Sequence, residues 1–224
     1  MVTMYETIMD LPLFKGVSKD LVSSFLEKTQ LRFTNYIQGD CIVGEGQSFS
    51  SIGFIIKGEV VTEISNPEET LRIYGVYGVG RVIGADRLYG ILRQSPYKVT
   101  ALSEVSVMEF SKEQYVNLLY SDPIYMLNFF NYLSLRAQRP LDSLRRFAGG
   151  GLASHLAMWV NIATEPEAHS VEIEIGEATL AAMAGGRDFN LELQRLAEKD
   201  IIGLRDGRIV VVDRDALIEA GEIH

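Results

Sequence analysis

The chain reads as an α+β protein with an N-terminal β-roll, a long helix and a C-terminal winged helix-turn-helix. Three observations predict this. Between Leu31 and Phe110, short apolar segments alternate with glycine-bearing turns. From Ser111 the apolar residues recur at helical spacing. Between Phe189 and Leu217 an amphipathic helix, a hairpin turn and a β-branched strand follow one another. The boundaries this implies are 1–110 for the β-roll, 111–148 for the long helix and 149–224 for the winged domain.

In the first segment the turns fall at Gly39-Asp40, Gly44-Glu45-Gly46, Gly58, Gly84 and Gly90. Gly75-Val76-Tyr77-Gly78-Val79-Gly80 places three glycines in six residues, which suits close bends in a rolled sheet. Ile52, Phe54 and Ile56 are expected to alternate inward on one strand, and Val105, Val107 and Glu109 to share one face of another. Cys41, inside Asp40-Cys41-Ile42-Val43, is expected to be a small core residue.

In the second segment Met126, Phe130, Leu133, Ala137, Leu141 and Leu144 recur at helical spacing over about five turns and continue toward Phe147. A second chain could pack on this stripe, with Met126, Phe130, Leu133 and Ala137 as the interface residues. Tyr125, Phe129, Tyr132 and Leu135 lie off the stripe, so the same helix is also expected to cover the β-roll. Pro140 removes a backbone donor and predicts a kink or a break between two helices. Gly149-Gly150-Gly151 then reads as a hinge.

The third segment begins with a helix over Leu152 to Ile162. A short apolar helix over Glu177 to Ala184 and a turn at Gly185-Gly186 follow. Phe189, Leu193 and Leu196 share one face of the next helix, while Glu192, Gln194, Arg195 and Lys199 mostly point elsewhere. Ile201 and Ile202 close the core, Asp206-Gly207 carries hairpin chemistry, Ile209 to Val212 forms a wing strand, and Asp213 caps the last helix.

Composition narrows the function classes. The 224 residues are 47% hydrophobic, as in an ordinary folded protein, and enough to bury one large or two modest cores. Residues 1 to 30 carry no leader pattern, and no run approaches the roughly 18 apolar residues of a membrane span. A cytoplasmic protein with no membrane partner is expected. Cys41 is the only cysteine, which excludes an intrachain disulfide, a multi-cysteine zinc site and a cluster held by four thiolates of one chain. The histidines, His155, His169 and His224, lie outside the β-roll. Neither they nor Cys41 form a nucleophile-base or metal spacing, so neither an enzyme nor a metal site is expected.

The order, length and motifs resemble the Crp/Fnr family of bacterial transcription regulators over nearly the whole chain. Pro12-Leu13-Phe14-Lys15-Gly16-Val17-Ser18 resembles the family's opening helix and turn. Gly39-Asp40 with Gly44-Glu45-Gly46 resembles its first β-roll turns, and Lys57-Gly58-Glu59-Val60 the glycine turn that follows. The resemblance implies a cyclic-nucleotide-binding-like β-roll and a homodimer that binds palindromic promoter DNA, with a small molecule or redox signal sensed by the N-terminal domain. RNA polymerase is a further partner it implies.

At the effector pocket the sequence departs from the family's pattern. Cyclic-nucleotide-binding members hold the ribose with a glycine-glutamate pair and the phosphate with an arginine followed by serine or threonine. Here Gly84 is followed by Ala85, which accepts no hydrogen bond, and Gln94-Ser95-Pro96-Tyr97-Lys98 offers no arginine before Val99. Arg93 or Lys98 would have to supply the phosphate contact, and a buried unpaired phosphate is costly. Cyclic AMP is therefore not the expected effector. Haem is a weaker candidate, with Cys41 or a methionine as ligand. An apolar ligand, or filling by Tyr74, Tyr77 and Tyr89, is the remaining alternative.

Arg187-Asp188 resembles the arginine-glutamate pair that many family members present to the major groove, and such a pair has base-reading chemistry. The segment is about two residues shorter than usual, and Gly185-Gly186 replaces the usual serine cap. Arg195, Arg205 and Arg208 are further candidate DNA contacts, with Arg145 and Arg146 near the hinge. Residues 151–224 nevertheless carry six Lys and Arg against fourteen Asp and Glu, a net charge of −8. A polyanion needs a local basic face, which that total neither supplies nor forbids. The alternative to a DNA-binding regulator is a sensor that kept the fold, lost strong DNA binding and meets another protein through its acidic domain.

Overall fold

Two compact units emerge, and they do not follow the linear order of the chain. The computed structural model describes residues 4–222, so His224 lies outside the described residues. One unit combines Met1–Val61 with Gly78–Arg136, the other Thr62–Tyr77 with Ala137–His224. This partition differs from boundaries at 110 and 148 because the strand Leu71–Tyr77, within the segment 62–77, pairs with the strand Ser170–Ile175 from the C-terminal part.

The first unit opens with helix α1 (Met4–Met9), a 3-10 turn at Pro12–Phe14, and α2 (Lys19–Lys28). Ser18 starts α2, its hydroxyl accepting from the Leu21 amide at 3.2 Å. Strands β1 (Arg32–Tyr36), β3 (Ser51–Lys57), β6 (Val82–Ile83) and β8 (Val105–Ser111) form a sheet in the order β1-β8-β3-β6, while β2 (Cys41–Val43) pairs with β7 (Lys98–Ala101). Gly58 turns the chain after β3 with φ +84, a conformation that an L side chain rarely adopts.

On β3 the strict alternation expected for Ile52, Phe54 and Ile56 is not observed. Ile52, Phe54 and Ile55 are all buried, whereas Ile56 is half-buried. β3 is a central strand, paired with β6 on one side and β8 on the other, and the β8 register shifts between Ile55 and Lys57. Cys41 is exposed and not a core residue. A register shift between Cys41 and Val43 breaks the period-2 relation that would have put it beside buried Val43.

The core of this unit is aromatic. Phe14 meets Phe54 and Tyr125 edge-on with centroids 5.8 and 4.8 Å apart, and Tyr115 meets Phe129 at 5.1 Å. Helix α3 (Lys112–Ser121) begins with a capping box between Ser111 and Gln114. Helix α4 (Pro123–Phe147) begins at Asp122, whose carboxylate accepts from the Ile124 and Tyr125 amides at 2.7 and 2.9 Å. It continues through Pro140, so that residue does not divide it into two helices.

The second unit is built on β4 (Val60–Ser65, from Thr62 onward), β5 (Leu71–Tyr77), β9 (Ser170–Ile175), β10 (Ile202–Arg205) and β11 (Arg208–Val211), in the order β10-β11-β9-β5-β4. β5 pairs antiparallel with β9 along its length, with Ile73 opposite Ile173 and Gly75 opposite Val171. Helices α5 (Leu152–Ala163), α6 (Glu177–Met183), α7 (Phe189–Glu198) and α8 (Arg214–Gly221) complete the unit. Leu152, Leu156, Val160, Leu193, Leu196 and Leu217 share one core with Ile73, Ile173 and Ile209. α5 and α8 approach so closely at Gly221 that a Cβ there would lie 2.7 Å from that of Ala157.

Candidate functional site

The helix-turn-helix expected from the sequence is formed by α6 and α7. Ala184 ends α6 in helical geometry, and Gly185 and Gly186 both adopt positive φ, 59° and 86°, to reverse the chain. Asp188 is the N-cap of α7: its Oδ1 accepts from the Asn190 and Leu191 amides at 2.9 and 3.3 Å. The helix buries Leu193 and Leu196 and half-buries Phe189, leaving Asn190, Leu191, Gln194 and Arg195 outward. The β10–β11 hairpin follows, turned by Asp206 and Gly207 at φ 50° and 77°, and Asp213 caps α8 by accepting from the Ala216 amide at 2.9 Å.

The six basic residues of 151–224 are used unequally. Arg208 is bound within the sheet, its guanidinium 3.1 Å from Glu172 and 3.2 Å from Glu174 on β9. Arg214 is half-buried and donates to the Thr164 hydroxyl at 2.7 Å and to the Glu165 carbonyl at 3.1 Å; desolvation holds its pKa below the usual arginine range. Arg205 is exposed at the hairpin, opposite Arg208. The remaining three, Arg187, Arg195 and Lys199, line one cavity of about 340 Å³ with Gly151, Leu152 and Glu192. Thus the stretch 151–224 is acidic in total but gathers half its cations at one place. Sequence reasoning missed Lys199; the signal was there, because Arg195 and Lys199 stand four residues apart and so share a helix face. Near the hinge, Arg146 pairs with Glu222 and Arg145 is exposed.

In the β-roll, Gly84 has φ +79 and faces the Phe49 ring, where a Cβ would come within 2.5 Å of an aromatic carbon. Ala85 is 2% exposed and packed in the aromatic core. Arg93 and Lys98 are both exposed, and Ser95 is buried with its hydroxyl donating to the Tyr97 carbonyl at 2.6 Å. Beside Ala85, the Asp86 carboxylate lies 3.5 Å from Arg87 and 3.7 Å from Arg136, and Arg136 donates to the Tyr132 hydroxyl at 2.7 Å. Tyr97 is buried, which pushes its phenol up to about 12, with the Asp86 charge as a further cause. Asp86, Arg87 and Arg136 were not singled out from the sequence as pocket residues, although Asp86-Arg87 directly follows the Gly84-Ala85 pair. A smaller cavity of about 70 Å³ lies among Tyr36, Phe49, Gly53, Ile83, Val107 and Glu109. Tyr74 and Tyr77 belong to the other unit, where the Tyr77 hydroxyl accepts from the Glu165 amide at 2.9 Å.

On α4 two faces separate. Tyr125 and Phe129 are buried in the core, while Phe130, Leu141 and Leu144 are exposed, Ala137 is exposed, and Met126 and Leu133 are half-buried. Leu135, expected on the covering face, is 57% exposed. Among the described residues no group of three or more His, Cys, Asp or Glu could hold a metal ion, and no helix is long and apolar enough to cross a membrane.

Residues 33–122 match the profile of the Cyclic nucleotide-binding domain family. No curated protein sequence matches the chain. Among solved structures, the Catabolite Activator Protein of Thermus thermophilus is 23% identical, with 93% of this chain and 96% of that chain covered and a TM-score of 0.50. The sensor domain of the transcriptional regulator DNR from Pseudomonas aeruginosa is 18% identical, with 61% of this chain and 90% of that chain covered and a TM-score of 0.52. The chain therefore shares its fold with these two structures, a long helix following a β-roll of the cyclic-nucleotide-binding type over 33–122, with a C-terminal helical region beyond it.

Proposed function

We propose that the protein is a homodimeric, effector-responsive transcription regulator that meets promoter DNA through α7, the β10–β11 hairpin and the cationic cavity beside them. The observation that carries this reading is the clustering of Arg187, Arg195 and Lys199 in a unit that is otherwise acidic. Phosphate contact depends on local basic groups, and three of them around one cavity make such a patch. The exposed stripe of α4 supports pairing with a second copy, which would present two such patches to a palindrome.

The effector is proposed to be something other than cyclic AMP. Ala85 is packed in the core and offers no acceptor, and Ser95 is engaged with the Tyr97 carbonyl. The unfavourable charge of −8 over 151–224 supports a second reading, in which the domain meets a protein. The two are separated by selecting duplexes from a random-sequence pool and titrating the winners at fixed salt. Specific binding that weakens in Arg195→Ala and Lys199→Ala, with the salt slope falling by about one per lost contact, is the expected result. No selected duplex, or affinity indifferent to both substitutions, would sink the DNA reading.

A further inference from the structure

The cationic cavity beside α7 already holds an anion, and it is one of the protein's own. Glu192, in the first turn of α7, directs its carboxylate into the cavity. Oε2 accepts from the backbone amide of Leu152, the first residue of α5, at 3.3 Å, and Oε1 accepts from the Arg187 guanidinium at 3.3 Å. The carboxylate side chain is only 17% exposed, whereas that of Arg187 is 68% exposed. At Gly151 a Cβ would come within 2.8 Å of the Arg187 guanidinium, so a side chain there would crowd the cation against the start of α5. Two further cations, Arg195 and Lys199, line the same space and form no ion pair among the described residues. Glu222, the other acid at the rim, is engaged by Arg146.

One carboxylate is thus set among three cations and a helix-start amide, in a space of about 340 Å³, on the order of ten water volumes. The space is far larger than the group now in it. Its donors, a guanidinium and a backbone amide, are those that bind phosphate oxygens, and the unused charges are of the right sign.

We infer that Glu192 is an internal stand-in for a phosphate. The carboxylate and a phosphate oxyanion compete for the Leu152 amide and the Arg187 guanidinium, and binding exchanges one for the other. The phosphate is that of a DNA backbone; this part rests on the function proposed above, while the anion site itself does not. The exchange makes the first phosphate contact cost a displaced carboxylate, which keeps the free protein off non-cognate DNA.

The test is Glu192→Gln, which removes the charge but keeps an oxygen that can accept from Leu152, so the start of α5 stays covered. Inorganic phosphate is titrated while the backbone amide resonances of Gly151 and Leu152 are followed, and a mixed-sequence duplex is titrated over a range of salt. Glu192→Gln is expected to respond to phosphate at lower concentration than the native protein. It should also bind the duplex more tightly, with the salt slope steeper by about one per protomer. A thermal melt confirms that the variant folds. A phosphate response unchanged or weakened in the folded variant would overturn the inference. A strengthened phosphate response with no duplex bound by either protein would keep the anion site, overturn DNA as its source and count against the proposed function.

Discussion

The guanidinium of Arg208 lies over the ring of Tyr74, 4.6 Å from its centroid, while bonding Glu172 and Glu174. A cation on β11 is thereby fixed across β9 and β5, and its pKa is raised first by the hydrogen bond to Glu172. Arg208 came from the sequence as a candidate DNA contact; in the structure its bonding serves the sheet.

Arg208→Ala is therefore expected to lower stability by about 1 kcal/mol, the two exposed ion pairs contributing little and the stacking the rest. Arg208→Lys should recover only part, because an ammonium cannot reproduce the planar stack. Thermal melting of both variants measures this. A larger loss of DNA affinity than of stability would show that the residue reaches the nucleic acid after all.

Alkaline pH should destabilise the protein ahead of ordinary tyrosine-bearing chains. Burial pushes the Tyr97 phenol up to about 12 and raises those of Tyr115 and Tyr125 further. Raised folded-state values mean that these groups hold their protons in the native state after the unfolded chain has begun to lose them near pH 10. The stability they contribute is complete below pH 10 and falls as pH rises toward 12 and beyond. Tyrosinate absorbance during a pH titration should show part of the ten tyrosines ionising only with unfolding. A single ordinary titration curve with native circular dichroism retained would contradict it.

Phe130, Leu141 and Leu144 expose 55, 71 and 48% of their surface on one stripe of α4. Covering them in a dimer would remove apolar area worth roughly 1 to 2 kcal/mol per side chain. Leu141→Glu is thus expected to shift the native mass from dimer toward monomer in sedimentation experiments, with little change in the helix content of the chain. A native protein that sediments as a monomer at all concentrations would end the proposal of a homodimer.

Local patterns were legible in the sequence wherever neighbours along the chain determine the structure. The face formed by Phe189, Leu193 and Leu196 is the inward face of α7, Asp206-Gly207 turns the hairpin, and Asp213 caps α8. Asp188 could have been read the same way, since an Asp just before an apolar-periodic run is an N-cap signal. What local patterns do not hold is the bulge that turns Cys41 outward and the choice of β5 as the partner of β9. The site was half legible for a similar reason. Arg187 and Arg195 lie in the cavity as candidates, but that Arg208 is engaged by Glu172 and Glu174, and that Glu192 bonds Leu152, depends on residues 34 to 40 positions away.

The recruitment of β5 by β9 has a consequence for how the chain is made. Tyr74 and its hydrogen-bond partner Glu174 are 100 positions apart. At about 5–20 residues per second, a ribosome releases β5 roughly 5–20 s before the strand that will cover its edge. During that interval the segment Leu71–Tyr77, with Leu71, Ile73 and Tyr77 destined for burial, is an open edge able to pair with another nascent chain. Closing a loop of that length is also slow, since long-range pairing sets the folding rate more than stability does. Expression yield of this protein should therefore depend on translation speed and on chaperones that shield single strands, more than on the stability of the finished fold.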